Sequence, residues 1–289
     1  MSSGIRTFDG AVALITGGAS GIGRAFGVEL ARRGAEVVLT DLQAELAEEA
    51  AAAIVKSGGR ASSARLDVRD RQAVDAVVRQ TVQRAGRLDY VFANAGTGVF
   101  GEAHLLEERD WDLTIDVNLH GVVNTVRAAY PQLVAQGFGH LVNVASLAGL
   151  VPSPFLVPYA MTKHAVVGLS KTLRIEAARF GVRVSAICPG AIRTPILTGN
   201  VLGRSVYSAM TPERMLEWWR RLGPIMDVEP FAKQAIDAVA KNEGIVVLPR
   251  RNRALLALLA WMPASAAEKV AAKMYRDTLR DFPEIARGL

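Results

Sequence analysis

Short apolar runs alternate with longer segments of helical periodicity along most of the chain. The apolar runs are rich in Val, Ile and Leu, and the segments between them repeat apolar residues every three to four positions, which predicts strands and helices in turn. The predicted strands lie at 12–16, 36–41, within 61–68, and at 88–96, 140–146, 182–190 and 244–250. The predicted helices lie at 21–34, 44–59, 71–86, 109–137, 158–181 and 231–242.

Strands that alternate with helices in this way predict a parallel sheet covered by helices on both faces. We therefore expect an α/β fold: a single Rossmann-type, doubly wound domain with a seven-stranded parallel sheet over residues 8–250, followed by a helical C-terminal extension at 251–289. Ligands of such folds bind at the carboxyl ends of the strands, near the switch point of the sheet. A further segment at about 195–226 has apolar residues at helical spacing, which indicates a helix packed on the body or a lid over a pocket.

The composition favours a protein with a large core and no disulfide. Half of the 289 residues are hydrophobic, and Cys188 is the one cysteine, so no internal disulfide forms and a cytoplasmic location is expected. The N-terminal residues lack the apolar region of a secretory signal, and the longest apolar run, 254–262, is too short to span a membrane. We expect no metal site.

The net charge of +6 raises the question of a nucleic-acid partner. The arginines are scattered and often lie beside acidic residues, and the one basic cluster is RRNR at 250–253. Because no nucleic-acid motif accompanies this charge, we expect no nucleic-acid partner. The basic cluster and the apolar run after it are also compatible with contact to a membrane surface. Packing over a pocket or at a subunit interface is the favoured interpretation of this C-terminal segment.

The turn after the first strand reads TGGASGIG at 16–23 and lies directly before a helix. Glycines allow positive φ angles and close approach, and a helix N-terminus presents N–H groups to a pyrophosphate. The glycine spacing differs from GxGxxG, and no Lys-Ser/Thr pair follows as in a Walker loop. A tight turn without a ligand is the alternative interpretation.

Asp41 ends the second predicted strand, eighteen residues after Gly23. A carboxylate at this place accepts hydrogen bonds from the adenosine ribose hydroxyls and repels a 2′-phosphate, which favours NAD over NADP. The alternative role for Asp41 is an N-cap of the next helix.

Tyr159 and Lys163 are four residues apart in a predicted helix and therefore share one face. A free tyrosine titrates near ~10, and a nearby ammonium favours the phenolate, so we expect Lys163 to lower the pKa of Tyr159. An ordinary amphipathic helix would show the same spacing.

Four motifs in this order resemble the short-chain dehydrogenase/reductase family, in its classical subgroup: TGGASGIG, the Asn-Ala-Gly at 94–96, Ser146 thirteen residues before Tyr159, and Tyr159-x-x-x-Lys163. The resemblance covers roughly residues 8–250. It implies that Asn118 shapes the main chain and holds a water in a proton relay, that Ser146 hydrogen-bonds the substrate oxygen, and that Tyr159 is the acid/base. It implies that Lys163 binds the nicotinamide ribose.

The resemblance also implies a set of cofactor contacts along the strand ends. The implied cofactor-binding residues are Gly17, Ser20, Gly21, Ile22 and Gly23 in the first turn, Asp41, Asp67 and Val68 near the adenosine, Asn94 and Gly96 beside the cofactor, Tyr159 and Lys163, and Ile192 and Thr194 at the carboxamide. Family members are usually dimers or tetramers formed through long helices, so we expect a homodimer or homotetramer.

The function implied is an NAD(H)-dependent oxidoreductase that interconverts a secondary alcohol and a ketone. The stretches at 147–157 and 195–226 are mostly apolar, which favours a lipophilic small-molecule substrate; Arg193, Arg204 and Arg214 are the candidates for a cationic clamp. Two alternatives stay open: an NADPH-dependent 3-oxoacyl thioester or carbonyl reductase, and a dinucleotide-sensing module without catalysis.

Overall fold

The computed structural model describes residues 4–198, 203–253, 256 and 264–286. Within them, seven strands form one parallel sheet in the order β3-β2-β1-β4-β6-β7-β9. The strands of this sheet are β1 (Val12–Thr16), β2 (Glu36–Asp41), β3 (Arg60–Arg65), β4 (Tyr90–Ala93), β6 (Gly139–Val144), β7 (Val182–Pro189) and β9 (Ile245–Leu248). The strand order reverses between β1 and β4, which is the switch point where such sheets bind ligands. The predicted doubly wound fold is confirmed.

Helices cover both faces of this sheet. They are α1 (Gly21–Arg32), α2 (Ala44–Lys56), α3 (Arg71–Ala85), α4 (Glu108–Ile115), α5 (Gly121–Gln136), α6 (Val157–Ala178), α7 (Pro212–Leu222), α8 (Val228–Ala240), α9 (Ala264–Asp281) and α10 (Pro283–Ala286). One core layer joins Phe26 of α1 and Phe231 of α8 to one face of the sheet. A second layer packs Val77 of α3, Val126 of α5 and Val166 of α6 on the other face.

The helix predicted at 109–137 is interrupted in the structure. A π-helical turn at Asp116–His120 separates α4 from α5 and contains the buried Asn118. Pro131 lies inside α5 and does not end it. The spacing of apolar residues did not predict this π-helical turn, because one additional residue in a single turn changes the spacing too little to be recognised.

A small second sheet was not predicted. It pairs β5 (Gly98–Phe100) with β8 (Gly203–Ser205) in parallel, and each strand has three residues, too few to show a periodic pattern. Of the predicted lid at 195–226, residues 199–202 lie outside the described part of the chain, and α7 follows β8 as the helical spacing predicted.

The C-terminal helices α9 and α10 pack through a third apolar cluster. It joins Phe100, Phe155 and Trp218 to Phe282 and Ile285. Most of the apolar run at 254–262 lies outside the described residues. In the part of the chain that is described, no helix is both long and apolar enough to cross a membrane. The same part holds no cluster of three or more His, Cys, Asp or Glu side chains that suits a metal ion.

Candidate active site

The turn between β1 and α1 is built so that only glycine fits at three positions. Gly17 and Gly21 have φ angles of +65° and +50°, in the region that side-chain-bearing residues rarely adopt. A Cβ atom on Gly23 would lie 2.1 Å from the Gly17 carbonyl oxygen. Ser20 occupies the N-cap of α1, and among the described residues its side chain makes no capping bond. The turn therefore brings main-chain N–H groups close to any bound anion.

Asn94 fixes the shape of this turn from the neighbouring strand. Its side-chain amide donates to the carbonyls of Thr16, at 2.9 Å, and Gly17, at 3.0 Å. The Thr16 hydroxyl oxygen in turn accepts from the main-chain N–H groups of Asn94 and Ala95, at 3.0 and 3.1 Å. Asn94 thus acts on the turn itself, and Thr16 is a structural partner that the sequence motif did not single out.

Asp41 closes the next strand end. Its carboxylate accepts from the N–H of Ala19, at 3.1 Å, and from the N–H of Gln43, at 3.1 Å. Gln43, and not Asp41, occupies the N-cap of α2. The alternative role of Asp41 as the helix cap is therefore wrong. Each carboxylate oxygen keeps a lone pair free of these bonds, since a carboxylate accepts about four hydrogen bonds.

Asp67 and Val68 follow β3 and border the same side. Arg69 pairs with Asp67 at 2.6 Å, and this guanidinium holds the pKa of the Asp67 carboxyl below its usual value. The Val68 carbonyl accepts from Asn124 at 2.9 Å. Val68 also packs closely on the helix, because a Cβ atom on Gly121 would lie 2.6 Å from Val68 Cγ2.

Tyr159, Lys163 and Ser146 meet at the carboxyl end of β6. Lys163 is 3% exposed, and its ammonium donates to the Val144 carbonyl at 3.0 Å. The same nitrogen lies 5.5 Å from the centre of the Tyr159 ring. Ser146 is also buried, and its hydroxyl oxygen accepts from the N–H of Ala148 at 3.1 Å. The helix spacing therefore does bring the pair together, as predicted.

Burial controls the charges of this cluster. It lowers the pKa of Lys163 to about 8 and raises the pKa of the Cys188 thiol to about 12. Burial also raises the pKa of the Tyr159 hydroxyl, and the hydrogen bond with Ser146 offsets part of that rise. We expected Lys163 to lower the pKa of Tyr159, and this is wrong for the net shift. The pKa is raised, because the loss of hydration of the phenolate is the largest effect.

Asn118 lies behind this cluster and acts on the main chain after β4. The Thr97 N–H donates to Asn118 Oδ1 at 2.8 Å, and Asn118 Nδ2 donates to the Thr97 carbonyl at 2.8 Å. A Cβ atom on Gly96 would lie 3.3 Å from Asn118 Oδ1 and 3.6 Å from Lys163 Nζ. Asn118 and Gly96 are therefore neighbours of Lys163, and the reciprocal bonds to Thr97 fix this loop.

Ile192 and Thr194 follow β7 and complete the ring of strand ends. Ile192 is buried, and two main-chain hydrogen bonds hold the segment around it in place. The Arg193 N–H donates to the Met226 carbonyl at 2.8 Å, and the Met226 N–H donates to the Ala191 carbonyl at 3.0 Å. A Cβ atom on Gly21 would lie 3.3 Å from the Thr194 methyl. This places Thr194 directly against the glycine turn.

One cavity of about 1220 Å³ connects these groups. Among the described residues, all of the predicted site residues line it except Asn118 and Gly23, which lie behind its wall. One end is the glycine turn with Asp41, and the middle holds Ser146, Tyr159 and Lys163. The other end is apolar, and the residues that line it include Val99, Phe100, Leu150, Leu156, Met215, Trp218, Trp219, Leu222, Val270, Ala271 and Met274.

Comparison with known protein families decides the relationship. The family model for short chain dehydrogenases matches residues 11–203, about two thirds of the chain. The chain belongs to the short-chain dehydrogenase family. Oxidoreductase UcpA of Escherichia coli K12 is 39% identical over 188 residues, which cover 65% of this chain and 71% of UcpA. Putative oxidoreductase SadH of Mycobacterium tuberculosis H37Rv is 34% identical over 268 residues, 92% of this chain and 96% of SadH.

Solved structures agree with this relationship. A short-chain dehydrogenase/reductase from Burkholderia phymatum in complex with NAD superposes with a TM-score of 0.77 at 29% identity, covering 88% of this chain and 94% of that chain. The family model ends at residue 203. Helices α7, α8, α9 and α10 therefore lie after the region that the family model matches. The alignment with SadH is longer and extends into the C-terminal helices.

Several lining residues of this short-chain dehydrogenase site were not found from the sequence. Gly98 lies against Tyr159, since a Cβ atom on Gly98 would lie 3.6 Å from Tyr159 Cδ2. Val270, Ala271 and Met274 reach the cavity from α9, more than a hundred residues along the chain. No local motif marks such residues, because their position follows from long-range packing alone.

Proposed function

We propose that this protein is an NAD(H)-dependent oxidoreductase that interconverts a secondary alcohol and a ketone. The observation that carries the proposal is the convergence of Ser146, Tyr159 and Lys163 in the middle of a single cavity whose one end is a glycine turn at a helix N-terminus. A site that joins a dinucleotide cradle to a proton-transferring phenol is suited to hydride chemistry.

The residues present fit a nicotinamide dinucleotide. Gly17, Gly21 and Gly23 stand where a side chain would meet close neighbours, and without side chains they leave the main chain of the turn accessible to a pyrophosphate. At the end of β2, Asp41 has lone pairs that can accept hydrogen bonds from ribose hydroxyls. Lys163, Asn94, Gly96, Ile192 and Thr194 would border the nicotinamide half. The NAD complex of the Burkholderia phymatum relative supports this choice. When bound, the dinucleotide supplies the acceptor or donor of the hydride.

The protein groups handle the proton. Burial keeps Tyr159 neutral, so its hydroxyl holds a proton beside Ser146 that it can donate to a ketone oxygen. In the reverse direction the phenolate form of Tyr159, after losing that proton, receives the proton of the alcohol. Ser146 orients the substrate oxygen by a hydrogen bond. Lys163 keeps a positive charge near the Tyr159 ring below pH 8, which stabilises a phenolate formed during reaction. Asn118 positions the loop at Gly96 beside Lys163.

The substrate we propose is lipophilic. The three arginines that the sequence offered as a clamp for a carboxylate all have acidic partners: Arg193 pairs with Asp227, Arg204 with Asp110, and Arg214 with Glu217. Most residues that line the cavity beyond Tyr159 are apolar, and Arg251, which also lines the cavity, donates to the Pro224 carbonyl. A charged substrate would therefore lose hydration against a largely apolar wall.

The catalytic unit we propose spans 8–250, with 251–289 as an extension, and works in the cytoplasm as a homodimer or homotetramer. The buried free Cys188 suits a reducing compartment. The exposed Val157, Met161 and Ile175 share one face of α6 and suit a subunit contact. An NADPH-linked thioester or carbonyl reductase is less consistent with Asp41, whose carboxylate would repel a 2′-phosphate.

The test is turnover by Tyr159→Phe beside the unchanged protein. Purified protein is assayed for NAD⁺ reduction against secondary alcohols graded from small to steroid-sized, and NADH binding is measured separately. We expect Tyr159→Phe to lower turnover by at least about a hundredfold, since it removes the transferable proton, while NADH binding is kept. Equal turnover by both proteins would refute the role of Tyr159. Tight NADH binding without turnover of any alcohol by the unchanged protein would favour the sensing module.

A further inference from the structure

Helix α9 has two parts with different environments along its length. Val270, Ala271 and Met274, in its N-terminal half, line the cavity that contains Tyr159. Tyr275 and Thr278, further along on the face that Ala271 shares, and Phe282, just after the helix, instead contact the body of the protein: Tyr275 stacks on Phe155 with ring centroids 5.1 Å apart, and Phe282 is fully buried. A helix anchored through its C-terminal half holds its N-terminal half at a fixed place.

The anchored C-terminal half of α9 makes several polar contacts with the elements around the site. The Trp218 indole N–H donates to the Thr278 hydroxyl at 3.2 Å, and Arg221 pairs with Asp281 at 2.6 Å. The Tyr275 hydroxyl donates to the Glu102 carboxylate, which also accepts from Tyr207 at 3.1 Å. Helix α9 is thus tied to α7 and to the chain on both sides of the small β5–β8 sheet.

A continuous path of aromatic contacts links this helix to the reacting groups. Gly98 at the start of β5 lies against Tyr159, and Phe100 at its end packs on Trp218 with ring centroids 4.8 Å apart. Phe155, four residues before Tyr159, stacks between Phe100, at 5.3 Å, and Tyr275, at 5.1 Å. The proton-transferring tyrosine and α9 are therefore parts of one packed wall.

The part of α9 that faces the cavity carries no charge among the described lining residues. Its basic side chains, Lys269, Lys273, Arg276 and Arg280, are exposed on the surface. The surface that faces the cavity consists instead of the branched side chain of Val270, the methyl group of Ala271 and the thioether side chain of Met274. Such a surface gains free energy only from apolar area, at about 25 cal/mol per Å².

We propose that α9 forms the roof of the substrate half of the cavity and that Ala271 and Met274 determine which substrates fit. The inference rests on the proposed function and makes its substrate class more specific. The substrate is a secondary alcohol or ketone whose reacting carbon carries a hydrocarbon body long enough to reach from Tyr159 to α9. The roof lies after the region that the family model matches, so it belongs to this chain and to relatives with the same C-terminal length.

The chain offers a matched pair of variants for the test. Ala271 lines the cavity, whereas Ala272 is exposed on the outer side of the same helix. Ala271→Trp fills the space under the roof, and Ala272→Trp adds the same side chain outside it. Dissociation constants of methyl ketones, from butanone to tridecanone, are measured in the presence of NADH by quenching of tryptophan fluorescence, with Tyr159→Phe added to every protein so that the ketone is not reduced during the titration. Thermal unfolding of each variant is recorded beside the unchanged protein.

For the unchanged protein and Ala272→Trp, affinity should rise about fourfold per added methylene, because each methylene leaves water for an apolar surface. For Ala271→Trp, the gain should stop at a shorter chain, so that the ratio of long-chain to short-chain affinity falls at least about tenfold. The roof is refuted by equal profiles for the two variants, or by an affinity of the unchanged protein that does not depend on chain length. If Ala271→Trp does not fold, Ala271→Leu takes its place.

The same set of proteins with Tyr159 retained separates this inference from the proposed function. NADH oxidation is followed with each ketone. Ketones that bind with the length dependence described above but never oxidise NADH would refute the oxidoreductase function and leave the roof supported. Turnover with an Ala271→Trp profile equal to that of Ala272→Trp would refute the roof and leave the function supported.

Discussion

At the scale of single residues, the site combines side chains whose chemistry depends on burial. Lys163 and Tyr159 are brought together as the sequence spacing predicted, yet the pKa of the tyrosine is raised and that of the lysine lowered to about 8. Residue types and spacing revealed the pair. The direction of the tyrosine shift could not be predicted from the sequence, because it depends on how much water the fold removes from the hydroxyl.

Asp41 gives a prediction about cofactor choice. Asp41→Asn keeps an oxygen acceptor for the N–H of Ala19 or Gln43 but removes the negative charge. We expect the ratio of kcat/KM for NAD to that for NADP to fall about tenfold, since the repulsion of a 2′-phosphate is relieved. Steady-state kinetics with both cofactors measure this ratio. Asp70→Asn, at the N-cap of α3, is the control because Asn caps helices equally well. An unchanged ratio in Asp41→Asn would count against the ribose contact.

His140 gives a prediction about acid stability. Ser185 donates to the Glu243 carbonyl at 2.5 Å, so its oxygen must accept from His140 Nε2–H at 2.8 Å. Nδ1 is then unprotonated, and it is buried without a hydrogen-bond partner among the described residues. Burial, with Arg183 and Arg174 nearby, lowers the pKa of His140 to about 3. The imidazole is therefore neutral in the folded protein.

In the unfolded chain a histidine binds a proton below about pH 6.5. The free energy of unfolding therefore does not depend on protonation of His140 above that pH. It decreases as the pH falls from 6.5 towards 3, because only the unfolded chain binds the proton in this range. Between pH 6.5 and 4.5 the loss is about 2–3 kcal/mol. We expect His140→Asn to be less stable at pH 7 but to lack this part of the acid dependence. Urea unfolding across that pH range measures it, and parallel curves for both proteins would contradict the assignment.

At the scale of elements, the strands and helices with a clear period were predicted well, and the short or irregular ones were not. Three of the seven sheet strands, β1, β4 and β9, have apolar runs of four residues, and the glycine turn carries its own signature. The π-helical turn at Asp116–His120 and the three-residue strands β5 and β8 leave no such signal. They form through contacts with distant parts of the chain, which local patterns do not contain.

The docking of α9 and α10 gives a prediction at this scale. Phe282 is fully buried, and the guanidinium groups of Arg214 and Arg221 lie 4.7 and 5.0 Å from its ring centre. We expect Phe282→Ala to remove about 3 kcal/mol or more of packing free energy. Because the two sheet-facing core layers are separate clusters, the loss should be local. Hydrogen exchange should then rise over 264–286 and stay low in β1 and β4. Phe282→Leu is the milder control, and uniform exchange changes would contradict a local role.

At the scale of the whole molecule, two regions with different origins meet in one cavity. The strand ends of the sheet contribute the glycine turn and Ser146, Tyr159 and Lys163, and they lie in the region that the family model matches. The apolar end combines residues of that region, such as Phe100 and Leu150, with residues of α7 and α9 beyond it. The motifs therefore predicted the family, whereas the part of the wall that α9 contributes became visible only in the folded chain.

The central claim is that this cavity passes a hydride between the carbon of a secondary alcohol and a nicotinamide. The most direct test uses the alcohols of the graded panel with deuterium on the carbinol carbon and follows the label by mass spectrometry of the recovered dinucleotide. NADH should carry the deuterium with the unchanged protein, and Tyr159→Phe should transfer at least about a hundredfold less of it. NADH formed without deuterium, or no labelled NADH from any alcohol, would contradict the central claim.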